Sequence, residues 1–343
     1  MAQLSRRAFA AASAITALGL WRTPVFAAAP PMARVVLDND WSGDPDGLFQ
    51  LAQHLLSPSV DIPLIIGSHL PDDGGFPNSG RTASEAVGKV QELLGVMGRG
   101  GSVPVLAGSE KGILARGNRD PSPATAAILA EAMRDDALGP LVYAAGAGLT
   151  ELALAWLANP AMGRRLKLIW IGGGEHPGLA VPPPNADPME FNQMVDPLAA
   201  QIIFNESDIE IWQVPRNAYR QLLFSNAELA ELERTGPLGA YLVGEIAEMN
   251  AMIAQILPGM TFPRSETYIL GDSPLVTLTA LQSFFQSDPS SSHYVLRPTP
   301  RINAAGTYDE HAAGRPMRVY TMIDTRLTFG DMMAKFRAAG AAG

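Results

Sequence analysis

Residues 34–47 read Arg-Val-Val-Leu-Asp-Asn-Asp-Trp-Ser-Gly-Asp-Pro-Asp-Gly. The apolar run at 34–37 suits a short buried strand. Asp44-Pro45 then marks a helix start, because aspartate accepts the free N–H groups of a first turn and proline tolerates the first helical position. Strand, polar turn and helix in that order open a βαβ unit. The same alternation continues along the chain. Further strands are predicted at 62–67, 103–106, 140–145, 166–171 and 208–214. Helices are predicted to begin at Asp196-Pro197 and Asp272-Ser273-Pro274, and at the capping boxes Thr82…Glu85 and Ser225…Glu228. The expected fold class is α/β, with a mostly parallel central sheet and helices on both faces. No internal repeat or linker divides the chain, so one domain is expected over residues 29–343.

In open α/β sheets, ligands bind beyond the carboxyl ends of the strands. The unusual residues lie there. The first strand enters the aspartate-rich turn, the second enters Ser68-His69, the fourth enters Gly146–Thr150, and the fifth enters Gly172-Gly173-Gly174-Glu175-His176. A Gly/Pro-rich loop at 71–80 has the composition of a lid.

Asp38, Asp40, Asp44 and Asp46 crowd nine residues. Such a cluster repels itself, and a bound cation resolves the repulsion. An all-oxygen set favours a hard ion, calcium first and magnesium second. The bland alternative is a solvated turn in which Asp44 only caps a helix.

Bulk properties limit the partners. Apolar residues make up 47% of the 343 and charged residues 17%, which allows a large core and excludes a disordered chain. The net charge of −9 argues against a nucleic-acid partner. The absence of cysteine excludes thiol catalysis and thiolate metal sites. Residues 1–28 read as a leader: Arg6-Arg7, an apolar stretch from Ala10 to Leu20, and small residues ending in Ala27-Ala28. The paired arginines resemble the twin-arginine export signal, so the expected location is periplasmic or secreted. The apolar stretch is too short to cross a bilayer core of about 30 Å, so no stable membrane anchor is expected. The oligomeric state is left open, a homo-oligomer included.

A second segment adds a family resemblance. Residues 185–200 read Asn-Ala-Asp-Pro-Met-Glu-Phe-Asn-Gln-Met-Val-Asp-Pro-Leu-Ala-Ala. This resembles the Asn…Ala-Glu-Phe-Asn…Asp-Pro block of the inosine/uridine-preferring nucleoside hydrolases. Asp38–Asp46 resembles that family's N-terminal aspartate motif. Val103–Gly108 resembles its spacer strand, Gly148-Leu149-Thr150 its Leu-Thr-Asn loop, and Leu270–Leu275 its late His-Asp segment. The matches keep the family's order over residues 34–285. The resemblance implies hydrolysis of an N-glycosidic bond in a nucleoside or related riboside. It implies metal binding by Asp40, Asp46, Asp272 and the Thr150 carbonyl, and proton transfer from water to Asp40. Asp38 would brace the loop, and Asp44, Asn185, Glu190 and Asn192 would hold the sugar.

Two departures stand out. Pro45 separates Asp44 from Asp46, where the family has adjacent aspartates, so the second metal carboxylate is Asp46, displaced by one residue, or the ligand set differs. Gly271 stands where the family often has the histidine that protonates the leaving base. Trp41 stacking on the ligand, or His69 in contact with it, would compensate. His176 and Tyr268 are weaker candidates. Two other readings compete: a riboside-binding protein without turnover, and a haloacid-dehalogenase-type phosphatase using Asp38 and Asp40. The phosphatase gives the Glu190-Phe191-Asn192 block no role.

Overall fold

The computed structural model describes residues 30–341 except 73, 78, 257–264 and 284–286. The predicted leader lies outside them. Residues 31–343 form one unit. Its strands are β1 (Ala33–Asn39), β2 (Val60–Gly67), β3 (Val105–Ala107), β4 (Leu141–Ala145), β5 (Leu166–Ile171), β6 (Glu210–Val214), β7 (Leu223–Ser225), β8 (Thr267–Ile269), β9 (His293–Pro298), β10 (Arg301–Ile302), β11 (Tyr308–Asp309) and β12 (Pro316–Met322). Eight form the central sheet in the order β3-β2-β1-β4-β5-β6-β12-β9. Every pairing in it is parallel except that of β9 with β12. The expected mixed architecture with a mostly parallel sheet is therefore observed.

All seven residues of β1 are buried, as a central strand covered on both faces requires. Alternate side chains feed two apolar layers. Val35 and Leu37 join one with Phe49 and Leu51, while Val36 joins the other with Tyr143 and Trp170. The sheet order reverses beside β1, with β2 on one side and β4 on the other. This is a topological switch point, and the aspartate-rich turn leaves β1 there.

Helix starts follow the sequence signals with three exceptions, the first being the helix Asp46–Leu55, which has Pro45 as its N-cap and no side-chain cap. Asp196 caps the helix Pro197–Asn205 through the Ala199 N–H, and Ser225 and Glu228 form the expected capping box. Thr82 does not cap. It is already helical, its hydroxyl accepts from the Leu70 N–H, and Glu110 takes the Ala83 and Ser84 N–H groups instead. Asp272 does not cap either. The helix Pro274–Thr279 begins without a side-chain cap, which leaves the Asp272 carboxylate free for other bonds.

Candidate active site

The end of β1 builds the floor. Asp38 pairs with Ile66 of β2 and Ala145 of β4, so its side chain is enclosed by both neighbours. Its carboxylate accepts from Ser68 Oγ and from the Tyr143 hydroxyl, each at 2.5 Å. Burial nevertheless pushes its pKa up to about 7. Asp38 lies beneath the cleft rather than in its wall.

Asn39 joins distant acidic residues. Its Nδ2 donates to Asp272 Oδ2 at 2.7 Å, and its Oδ1 accepts from the Asp40 N–H at 2.9 Å. Glycines make this reach possible. A Cβ on Gly146 would stand 2.5 Å from Asn39 Nδ2, and one on Gly47 would stand 2.8 Å from it. The Asp272 N–H in turn donates to Asp46 Oδ2 at 3.1 Å. Asp40, Asp44, Asp46 and Asp272 thus line one cleft of about 220 Å³ with Glu190 and Asn192. Burial, then repulsion from Asp272, raises the pKa of Asp40; the same two causes in the same order raise that of Asp46. Burial pushes Asp272 to about 7 against the lowering effect of its bond to Asn39. Asp44 sits exposed at the mouth, where its Oδ1 accepts from the Tyr268 hydroxyl and the Asp46 N–H.

The opposite wall comes from the segment 190–192. Glu190 Oε2 accepts from the Gly173 N–H at 2.7 Å and from the Gln193 N–H at 3.2 Å, and Oε1 accepts from the Tyr219 hydroxyl at 2.9 Å. Gly173 holds φ at +81°, a left-handed backbone that glycine adopts without strain. Asn192 spends its amide hydrogens on the carbonyls of Gly146 and Ile171, at 2.9 and 2.8 Å, which fixes its side chain at the ends of β4 and β5. Phe191 and Tyr219 complete this wall, and Phe76 of the Gly/Pro-rich loop meets the Phe191 ring edge-on at 5.8 Å.

Three expected site residues are placed elsewhere. Trp41 is buried in the core, and its indole N–H donates to the Ile66 carbonyl at 2.9 Å, so it cannot stack on a ligand in the cleft. His69 lines a separate cavity with Lys111 and Met194, because strand-end alternation gives Ser68 to the site and turns the next residue away. Asn185 is exposed at φ +61° on the loop after Pro182–Pro184 and is not among the cleft's lining residues. Thr150, whose expected ligand atom is its backbone carbonyl, is buried, and its hydroxyl donates to Asp196 at 2.8 Å. His176 also faces elsewhere. Three contributors were not foreseen from sequence: Asn39, Tyr219 and Tyr143. Only the glycines at 47 and 146 hint at Asn39 in the sequence.

The donors suit a hard cation: three carboxylates, mutually destabilised and with no basic side chain among the cleft's lining residues. Among the described residues, however, no group of three or more His, Asp or Glu is arranged to hold a metal ion as it stands. Asp272 is committed to Asn39 and Asp46 to the Asp272 N–H, so closing a ligand set requires side-chain adjustment. Gly271 leaves no leaving-group acid from its own position. A Cβ there would stand 3.3 Å from both Asp46 Oδ2 and the Tyr219 ring.

Comparison with known proteins gives the same direction. Over 62 residues the chain is 45% identical to an inosine-uridine preferring nucleoside hydrolase of Leishmania major, 18% of each chain. Over 68 residues it is 43% identical to that of Crithidia fasciculata, 20% of this chain and 19% of the relative. The chain thus matches about a fifth of the length of these curated relatives. Among solved structures, a plant nucleoside hydrolase superposes with TM-score 0.64 at 19% identity, covering 90% of this chain and 100% of the other. A purine-preferring ribonucleoside hydrolase from Gardnerella vaginalis gives 0.66 at 17% identity with the same coverage. These likenesses establish the fold. The sequence profile described as inosine-uridine preferring nucleoside hydrolase matches residues 35–340, nearly the whole described chain, and the protein therefore belongs to that family.

Proposed function

We propose that this chain hydrolyses the N-glycosidic bond of ribonucleosides or a related riboside. One observation carries this reading: carboxylates from the turn after β1 and from the segment before residue 274 meet Glu190 and Asn192 in a single cleft. The family typically uses a metal, and Asp40, Asp46 and Asp272 are the residues that would hold it here, with calcium the first choice and magnesium the second. When bound, such an ion lowers the pKa of water and orients the sugar's hydroxyls. Asp40 takes the proton from the attacking water. Asp44, exposed at the mouth, accepts from ribose hydroxyls. Glu190, locked by Gly173 and Tyr219, presents negative charge to the positive charge that develops on the ribosyl ring. Asp38 braces the floor through Ser68 and Tyr143.

No histidine is among the residues lining this cleft, and Trp41 is out of reach, so the leaving base departs without a dedicated acid. Leaving-group quality then controls the rate. The test is turnover of inosine, uridine and p-nitrophenyl riboside by the purified chain with calcium. Hydrolysis of the nitrophenyl compound, with Asp40→Asn inactive, supports the reading. Binding of ribosides without cleavage of any of them would replace it with a binding function. We also read residues 1–28 as a twin-arginine leader and the mature chain as exported; a mature N-terminus beginning near residue 28 in the secreted or periplasmic fraction is the check.

A further inference from the structure

A second cavity, of about 240 Å³, opens behind the Gly172–Gly173 turn, on residues the proposed reaction does not use. Its walls include His176, Arg297, Tyr308 and three prolines, 177, 298 and 300. His176 is 2% exposed and stacks on Tyr308 with ring centres 4.3 Å apart.

The hydrogen-bond arithmetic fixes what this wall offers. Gln213 Nε2 donates to the Gly172 carbonyl at 2.8 Å and to the Tyr308 oxygen at 2.7 Å. A carbonyl only accepts, so the amide cannot be reversed, and Gln213 Oε1 must face His176 Nε2, 2.7 Å away. His176 Nε2 therefore carries the hydrogen. Burial holds the imidazole's pKa down to about 4, so it is neutral near pH 7. Its Nδ1 is then a bare acceptor with no hydrogen-bond partner among the described residues, on a side chain almost wholly withdrawn from solvent. On the same cavity, Arg297 donates through Nη1 to the Pro177 carbonyl at 3.0 Å and keeps further N–H groups to offer.

The cavity thus presents one buried acceptor and one cationic donor beside flat apolar surfaces, with Glu310 exposed and His311 half-buried on the same lining. Its volume is below the roughly 300–1,000 Å³ of drug-sized sites and suits one ring system. The complement is a planar ring with an N–H beside a C=O. We infer that this cavity is a second ligand site, distinct from the carboxylate cleft, for a lactam heterocycle such as a free nucleobase. The N–H donates to His176 Nδ1, the carbonyl accepts from Arg297, and the ring lies against Tyr308 and the prolines. Only the ligand's origin rests on the proposed hydrolysis, of which a free base is the product; the site itself does not.

The test is a fluorine NMR titration of the calcium-loaded full-length chain with 5-fluorouracil, which needs no turnover. Arg297→Ala removes the donor, and Ala312→Trp fills the mouth from an exposed position. A bound population weakened at least tenfold by each variant, and not formed by 1,3-dimethyl-5-fluorouracil, is the expected result. Binding that is unchanged in both variants overturns the site. Equal binding of the dimethylated ring, or tenfold stronger competition by benzoate, overturns the lactam assignment. Because binding alone is read, a chain that proves unable to cleave nucleosides leaves this result interpretable.

Discussion

Asp40 and Asn39 are neighbours with different work, and substitution separates them. On the proposed mechanism Asp40→Asn removes the general base and should lower p-nitrophenyl riboside turnover by about 10²–10⁴-fold. Loss of the Asn39 amide leaves Asp272 without its 2.7 Å donor, so Asn39→Ala should cost about 10–100-fold in metal affinity or activity, as removal of a ligand's supporting partner typically does. Isothermal titration with calcium and steady-state kinetics check both; an Asn39→Ala protein with wild-type calcium affinity would refute the positioning role. A third outcome follows from Gly271: p-nitrophenyl riboside should be hydrolysed at least about 10²-fold faster than inosine. Equal rates would show that an acid is supplied, and Tyr219→Phe and Tyr268→Phe would identify it. The carboxylates were legible because aspartates crowd a strand end and repeat a family pattern. Asn39 was not, since one amide between two aspartates looks ordinary until Gly47 and Gly146 are seen pressed against it. Trp41 was misread because a large aromatic on a site loop faces either way. The Ile66 carbonyl that claims its indole N–H belongs to a neighbouring strand, out of view in local sequence.

At the scale of elements, the short helix Arg216–Tyr219 clamps the loop that precedes Glu190. Arg216 donates from Nε and Nη2 to the buried Glu175 carboxylate and from Nη1 to the Asp187 carbonyl, and one turn later Tyr219 bonds Glu190 itself. Arg216→Ala strands the Glu175 charge, whose side chain is 1% exposed, and should cost about 3 kcal/mol in urea unfolding. Arg216→Lys should recover only part, because it lacks the fork. The helix Thr82–Val96 offers a cleaner comparison. Glu110 supplies its N-terminal acceptor from outside the helix, so Glu110→Ala should destabilise by about 1 kcal/mol while Glu85→Ala does little. The reverse order would restore the capping box read from sequence. That box failed because a local pattern cannot reveal a competing acceptor 25 or so residues away. The first six strands were readable as apolar runs ending in polar turns. β9 and β12 were not, because prolines at 298, 300 and 316 punctuate that region and their pairing is formed only across the sheet.

For the molecule as a whole, buried histidines shape acid stability. Burial holds His54 down to about 3 and His176 to about 4. Below a pH near 6.5 the unfolded chain takes up protons on both that the folded chain refuses. These two groups therefore contribute a decline in stability as pH drops from about 6.5 towards 4, each up to about 1.4 kcal/mol per pH unit, against the opposite slope of the buried aspartates, whose folded pKa values are raised. His54→Gln should flatten that decline in denaturant titrations; an unchanged slope would place the origin elsewhere. The buried aspartates have a different consequence. Three like charges gathered under little solvent are a standing cost to the fold, tolerated because the site needs them. Removing one should make the metal-free chain harder to melt while disabling it. Asp46→Asn should melt higher than the parent in chelator, yet gain less from added calcium, since an ion that binds only the folded state stabilises by RT ln(1 + [L]/Kd). The two melting curves should exchange rank as calcium is raised, so that the fitter enzyme is the weaker fold whenever the ion is scarce.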